Sequence, residues 1–151
     1  MSEKILPKTG VLAGVSESAR QTLAAFGSFH NHPKSSLIVE QGTLANTLHI
    51  VVSGELQVTL RTPDELVPFG YVHEGETVGE MSFLEAAAIA SAAVTSVVPS
   101  VVWSISGKDF EAFLNDHPVA GCEILQTILR LVGRRARKGN ERLAAEIGEP
   151  S

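Results

Sequence analysis

Apolar and polar positions follow three different rhythms along the chain. In Ser16–Gly27 a capping serine precedes helix formers, and Leu23 and Phe26 fall three residues apart before a glycine stop, which predicts a short helix. From Ser28 to Ile105 the apolar period drops to two. Leu48, Ile50 and Val52 alternate with His49, Val51 and Ser53, and after Gly54 the residues Leu56, Val58 and Leu60 alternate with Gln57, Thr59 and Arg61. Two such strands hinged at Ser53-Gly54 predict an antiparallel pair. Further strands are expected at Ser36–Glu40, Leu66–Val72, Ala92–Val98 and Val101–Ile105, a spacing that suits a sandwich or a barrel-like roll.

The last third returns to a helical period. A helix starting at Ser106 or Gly107 carries Phe110, Phe113 and Leu114 and ends near Asn115-Asp116; a long one follows from His117-Pro118, where proline at the first turn loses no hydrogen bond. Leu125, Ile128, Val132, Ala136, Gly139, Leu143 and Ile147 form a narrow stripe of coiled-coil period on that second helix. Two readings stand. The first half packs on the chain's own sheet and the rest is a polar tail, or the stripe is the seam of a homodimer through the 117–147 helix.

Composition narrows the class. With 151 residues the chain is expected to be one domain over 1–151, with a roll at about 28–105 and C-terminal helices at about 107–147. Seventeen acidic against 12 basic side chains give a net charge of -5, which argues against direct nucleic-acid binding. The single cysteine, Cys122, is expected to be a buried, inert thiol on an apolar helix face. It forms no internal disulfide, no signal-peptide pattern precedes Pro7, and a reducing cytoplasm is the expected compartment.

No charge occurs between Glu85 and Lys108, a run long enough to cross a membrane. Its hydroxyl residues Ser91, Thr95 and Ser96 and the turn at Pro99-Ser100 divide it into two strand-sized pieces, so no membrane partner is expected.

The segment Glu74-Gly75-Glu76-Thr77-Val78-Gly79-Glu80-Met81-Ser82-Phe83-Leu84-Glu85 places two glycines before a short helical turn. Backbone N–H groups at such a start suit an anion, and a tight turn between strands explains the same glycines. Further residues match alongside it: Gly42, then Ser53-Gly54-Glu55, then Gly75-Glu76 and Gly79-Glu80, in the order helix, eight or so strands, two helices. That order over about residues 14 to 147 resembles the cyclic nucleotide-binding domain family, and within it the effector domain of the catabolite activator protein (Crp/Fnr) group without its DNA-binding domain.

The resemblance implies a mainly β fold with flanking helices. It is a double-stranded β-helix (a jelly-roll, cupin-like β-roll) with a short N-terminal and a long C-terminal helix, acting as a small-molecule-sensing, signal-transducing regulatory module. It implies a ligand lining of Gly79, Glu80, Met81, Ser82, Ala90, Ser91 and Arg135, with cyclic AMP or cyclic GMP as ligand. The Gly79–Glu85 helix start would hold the phosphate and Glu80 the ribose hydroxyl.

Two departures bear on that ligand. Ala90 stands where the family has its phosphate-pairing arginine, and no arginine or lysine lies in the cassette. Arg135 and Ala136 stand where the bacterial members carry two hydroxyl residues that read the purine. Arg135 either reaches a ligand anion or faces water with Arg130, Arg134, Arg137 and Lys138.

His30-x-His32 on one strand face would suit a metal pair of a cupin-like enzyme, but Glu40 follows too late for that pattern, and no catalytic set is recognisable. The expectation is a non-enzymatic sensor that binds cyclic nucleotide poorly, dimerises, and passes its output to a separate effector protein. The alternative is a dimerisation or docking module, or a binder of a different ligand.

Overall fold

The computed structural model describes residues 5–148, with the side chains of 142–148 excepted. Its centre is the strand Ser100–Ser106, buried on both faces because different layers cover them. Eight strands, β1 (Ser28–His32), β2 (Leu37–Val39), β3 (Thr47–Ser53), β4 (Leu56–Arg61), β5 (Leu66–Val72), β6 (Thr77–Val78), β7 (Ala93–Ser96) and β8 (Ser100–Ser106), form two antiparallel four-stranded sheets. One runs β1-β8-β3-β6 and the other β2-β7-β4-β5, making the jelly-roll sandwich. The helices α1 (Glu17–Ala24), α2 (Gly107–Asp116) and α3 (Pro118–Gly148) cover the outside of the first sheet.

Two cores result. Leu48, Ile50, Trp103 and Ile105 point outward to Leu23, Phe110, Phe113 and Ile124 of the helices, and the Trp103 indole N–H donates to the Ala24 carbonyl at 3.2 Å. Val51, Val102, Leu56, Val72 and Val94 meet between the sheets. Ser16 caps α1 by accepting from the Ala19 amide at 3.2 Å, and its own amide and hydroxyl donate to the Glu123 carboxylate on α3 at 2.7 and 2.9 Å.

Three expectations are corrected. β3 and β4 do not pair: β3 lies between β8 and β6, and β4 between β5 and β7. Gly54, at φ +100, carries the chain from one sheet to the other, and a Cβ there would stand 2.1 Å from the Ser100 hydroxyl. Alternation reveals each strand's buried face but not its hydrogen-bonding neighbour.

Cys122 is exposed, because α3 turns Ile124 rather than Cys122 toward the core. For the same reason Ile128 packs inward while Leu129 is 73% exposed, so the outward row on α3 runs Cys122, Leu125, Leu129, Val132, Ala136 and Gly139. Leu143 and Ile147 lie outside the residues whose side chains are described. The uncharged run forms β7, the Pro99 turn and β8, and among the described residues no helix is long and apolar enough to cross a membrane.

Candidate functional site

The segment after β6 is built from close backbone approaches. Gly79 has φ +86, and a Cβ on it would lie 2.3 Å from the Thr47 carbonyl oxygen, so only glycine lets the chain leave the sheet here. Gly79–Leu84 then makes one helical turn, with the Ser82 and Phe83 amides donating to the Gly79 carbonyl at 3.2 and 3.0 Å. The short helix expected at Gly79–Glu85 is therefore a single turn. Phe83 fixes it by burying its ring against Phe110, centroids 5.1 Å apart.

The chain returns beside Gly42–Ala45. The Ala90 amide donates to Thr43 at 2.8 Å, Gly42 donates to Ala90 at 2.9 Å, and Ala45 donates to Ala88 at 2.8 Å. These bonds make a paired rim around a cavity of about 840 Å³ between the sheets.

Gly79, Glu80, Met81, Ser82, Ala90, Ser91 and Arg135 all line this cavity. Its apolar floor includes Ile38, Val39, Val58, Val72 and Val94. Ala90 is only 8% exposed, whereas Met81 and Ser91 lie at the open side.

Arg135 joins them from α3. Its guanidinium forms an ion pair with Oε1 of Glu80, whose side chain is only 5% exposed, while the Arg135 side chain is 39% exposed. The Thr77 hydroxyl donates to the same carboxylate oxygen at 3.0 Å. Burial lowers the pKa of Arg135 and the nearby Glu76 carboxylate opposes this, so the guanidinium remains a cation. The neighbouring Arg134 and Lys138 line an adjoining hollow of about 290 Å³ beside Gly10 and Gly75, which shares Glu76, Thr77 and Arg135 with the cavity.

Glu40, Glu76 and His49, none of which the sequence places among the ligand-lining residues, also line the cavity. His49 sits on the polar side of an alternating strand. In a roll that side faces the second sheet rather than water, a signal available only once both sheets are known. Its Nδ1 lies 2.7 Å from the Ser104 hydroxyl, and burial, reinforced by His32 and His30, pushes its pKa down to about 4.

His32 is likewise shifted down, by burial and by His30. The rings of His30 and His32 are 6.2 Å apart, and among the described residues no three His, Cys, Asp or Glu side chains are grouped to hold a metal ion.

The depressed His49 value sets a pH dependence. The folded state keeps this ring neutral, while the unfolded chain protonates it near 6.5, so its contribution is intact above 6.5 and lost as pH falls toward 4. About 2 kcal/mol should be gone by pH 5. Thermal unfolding at pH 7 and pH 5 should show a smaller acid loss in His49→Gln than in the native chain. Equal losses in both proteins would remove His49 from the account.

Comparison with known proteins adds four findings. The family model "Cyclic nucleotide-binding domain" matches residues 29–117. The cAMP-activated global transcriptional regulator CRP of Salmonella typhimurium is 27% identical over 116 residues, covering 76% of this chain and 53% of that protein. A CRP-like cAMP-activated global transcriptional regulator of Mycobacterium tuberculosis is 27% identical over 146 residues, covering 94% of this chain and 62% of its own length. The chain thus spans about half to three fifths of these relatives. The crystal structure of Thermus thermophilus catabolite activator protein superposes with a TM-score of 0.77 at 20% identity, over 89% of this chain and 62% of that one, a likeness of fold.

Proposed function

The chain belongs to the cyclic nucleotide-binding domain family, and from that premise we propose that it is a non-enzymatic, small-molecule-sensing regulatory module for which cyclic nucleotides are poor ligands. The module is one cytoplasmic domain over 1–151, with Gly79, Glu80, Met81, Ser82, Ala90, Ser91 and Arg135 around the ligand. One observation carries the reading. The Arg135–Glu80 ion pair joins the long helix to the turn that lines the cavity, so a molecule that displaces either side chain changes how α3 is held.

Cyclic nucleotide binding is weak for a reason of charge. The cavity has Ala90 in place of a cation, its lining cation Arg135 is already paired, and His49 is neutral near pH 7.

Hydrogen exchange tests the coupling. Glu80→Gln removes the charge but keeps the shape, and amide exchange in α3 around residues 129–141 should accelerate several-fold while β3 and β8 stay protected. Unchanged exchange in α3 would sink the sensing mechanism.

The outward row on α3, exposed except for the half-buried Val132, supports a homodimer. Cys122, Leu125, Leu129, Val132 and Ala136 recur at steps of three and four, a spacing that packs against a second copy. Sedimentation should give a dimer for the native chain and a folded monomer for Leu129→Glu; a native monomer at tens of micromolar would refute the seam. The output then passes to an effector protein, with no direct part for nucleic acid or a membrane.

A further inference from the structure

We propose that the cavity selects an uncharged molecule with an apolar body and a hydrogen-bond donor, and discriminates against anions. This rests on the reading of the cavity as the sensor's ligand site and names the class of molecule that site takes.

The charges that face the space are mostly negative. Glu40 and Glu76 line the cavity from loops and Glu80 from the turn, against Arg135 as the one lining lysine or arginine among the described residues. Arg135 is paired with Glu80, and the next cations on the helix, Arg134 and Lys138, line not the cavity but a neighbouring hollow that shares Glu76, Thr77 and Arg135 with it. An entering anion can gain an undivided counter-ion only by drawing Arg135 away from Glu80. That exchange leaves the Glu80 carboxylate, 5% exposed, without its counter-ion and brings a second negative charge beside Glu76.

An uncharged donor faces no such exchange. Thr77 and Arg135 both meet the Glu80 carboxylate at Oε1, and a carboxylate has further lone pairs at its second oxygen. A hydroxyl or N–H group can add there while the ion pair stays closed.

The rest of the lining favours an apolar body. Val39, Val58, Val72 and Val94 form the floor, and Leu44 and Ile89, 52% and 58% exposed, stand on the rim. Filling this space removes apolar surface from water on both partners, a gain that needs no charge.

A matched pair of fluorescent probes tests the proposal on the full chain. N-phenyl-1-naphthylamine is neutral with one N–H donor; 8-anilinonaphthalene-1-sulfonate has the same rings plus a sulfonate. The neutral probe should bind at least tenfold tighter. Its affinity should fall at least fivefold in Val58→Phe, which fills the floor, and in Ile89→Trp, which narrows the mouth at an exposed position where folding is not at stake.

Equal or tighter binding of the sulfonate would overturn the anion discrimination and leave the sensing reading intact; displacement of the neutral probe by micromolar cyclic AMP would overturn both the discrimination and the weak binding of cyclic nucleotides, with the cavity still a sensing site. If neither probe nor cyclic AMP binds, or if Ile89→Trp and a folded Val58→Phe both bind as the native chain does, the cavity is not a ligand site and both readings fall.

Discussion

Replacing Arg135 with alanine is expected to lower unfolding stability at neutral pH by about 2–3 kcal/mol, far more than the loss of an ordinary surface ion pair. The asymmetry of burial sets the size. Glu80 is 5% exposed and keeps only the Thr77 hydroxyl once the guanidinium is gone, so its charge loses its compensation inside the protein. Removing one partner of a fully buried pair costs about 3–5 kcal/mol. Arg135 is 39% exposed, and water reaching its vacated place brings the expected loss below that range. Arg135→Ala combined with Glu80→Gln removes both charges and should recover most of the stability, giving a coupling energy of the same order as the single loss. Urea unfolding of the native chain, both single variants and the double variant measures all four corners. A change within about 0.5 kcal/mol in Arg135→Ala would show that the pair behaves as a solvated surface contact.

This pair also marks how far the sequence could be read. The roll was legible because short alternating runs between glycines and prolines have few other solutions, and β5 matches the expected Leu66–Val72 at both ends. The seven residues inferred from family resemblance lie around one cavity because the glycine turn and the returning loop are fixed by local backbone approaches. What remained hidden depends on distant partners. Glu80 could have been a helix-terminal carboxylate and Arg135 one member of a solvated basic run; only the packing of α3 against α1 and α2 brings the two together.

The same limit explains β3, β4 and Cys122. Alternation specifies two faces of a strand but not its neighbours, and a seven-residue stripe does not say whether Ile128 or Leu129 faces inward. His49 illustrates it from inside the roll. Its strand pattern marks it as polar and solvent-facing, yet that side of β3 faces the opposite sheet, which is why burial depresses its pKa.

Ala90→Arg is expected to raise the affinity for cyclic AMP by at least about thirtyfold, the largest functional effect of any single change considered. Ala90 is 8% exposed, lines the cavity, and is held from both sides by backbone bonds to Gly42 and Thr43, so a longer side chain can extend into the 840 Å³ space without moving a strand. There it would supply a cation that owes nothing to Glu80, leaving the Arg135 pair closed while a phosphate gains a bidentate partner beside the Gly79–Ser82 turn. Loss of such a partner from a buried charge pair costs about 2–5 kcal/mol, or roughly thirtyfold to several thousandfold in binding. The lower end is expected here because Glu40 and Glu76 also line the cavity and compete for the new guanidinium. Calorimetric titration with cyclic AMP and cyclic GMP should give no measurable binding at micromolar concentrations for the native chain and clear heats for Ala90→Arg. Ala90→Gln, which adds length without charge, should behave as the native chain does. If Ala90→Arg folds and gains nothing, charge was not the only departure, and the single turn at Gly79–Leu84 no longer presents its amides as a phosphate requires.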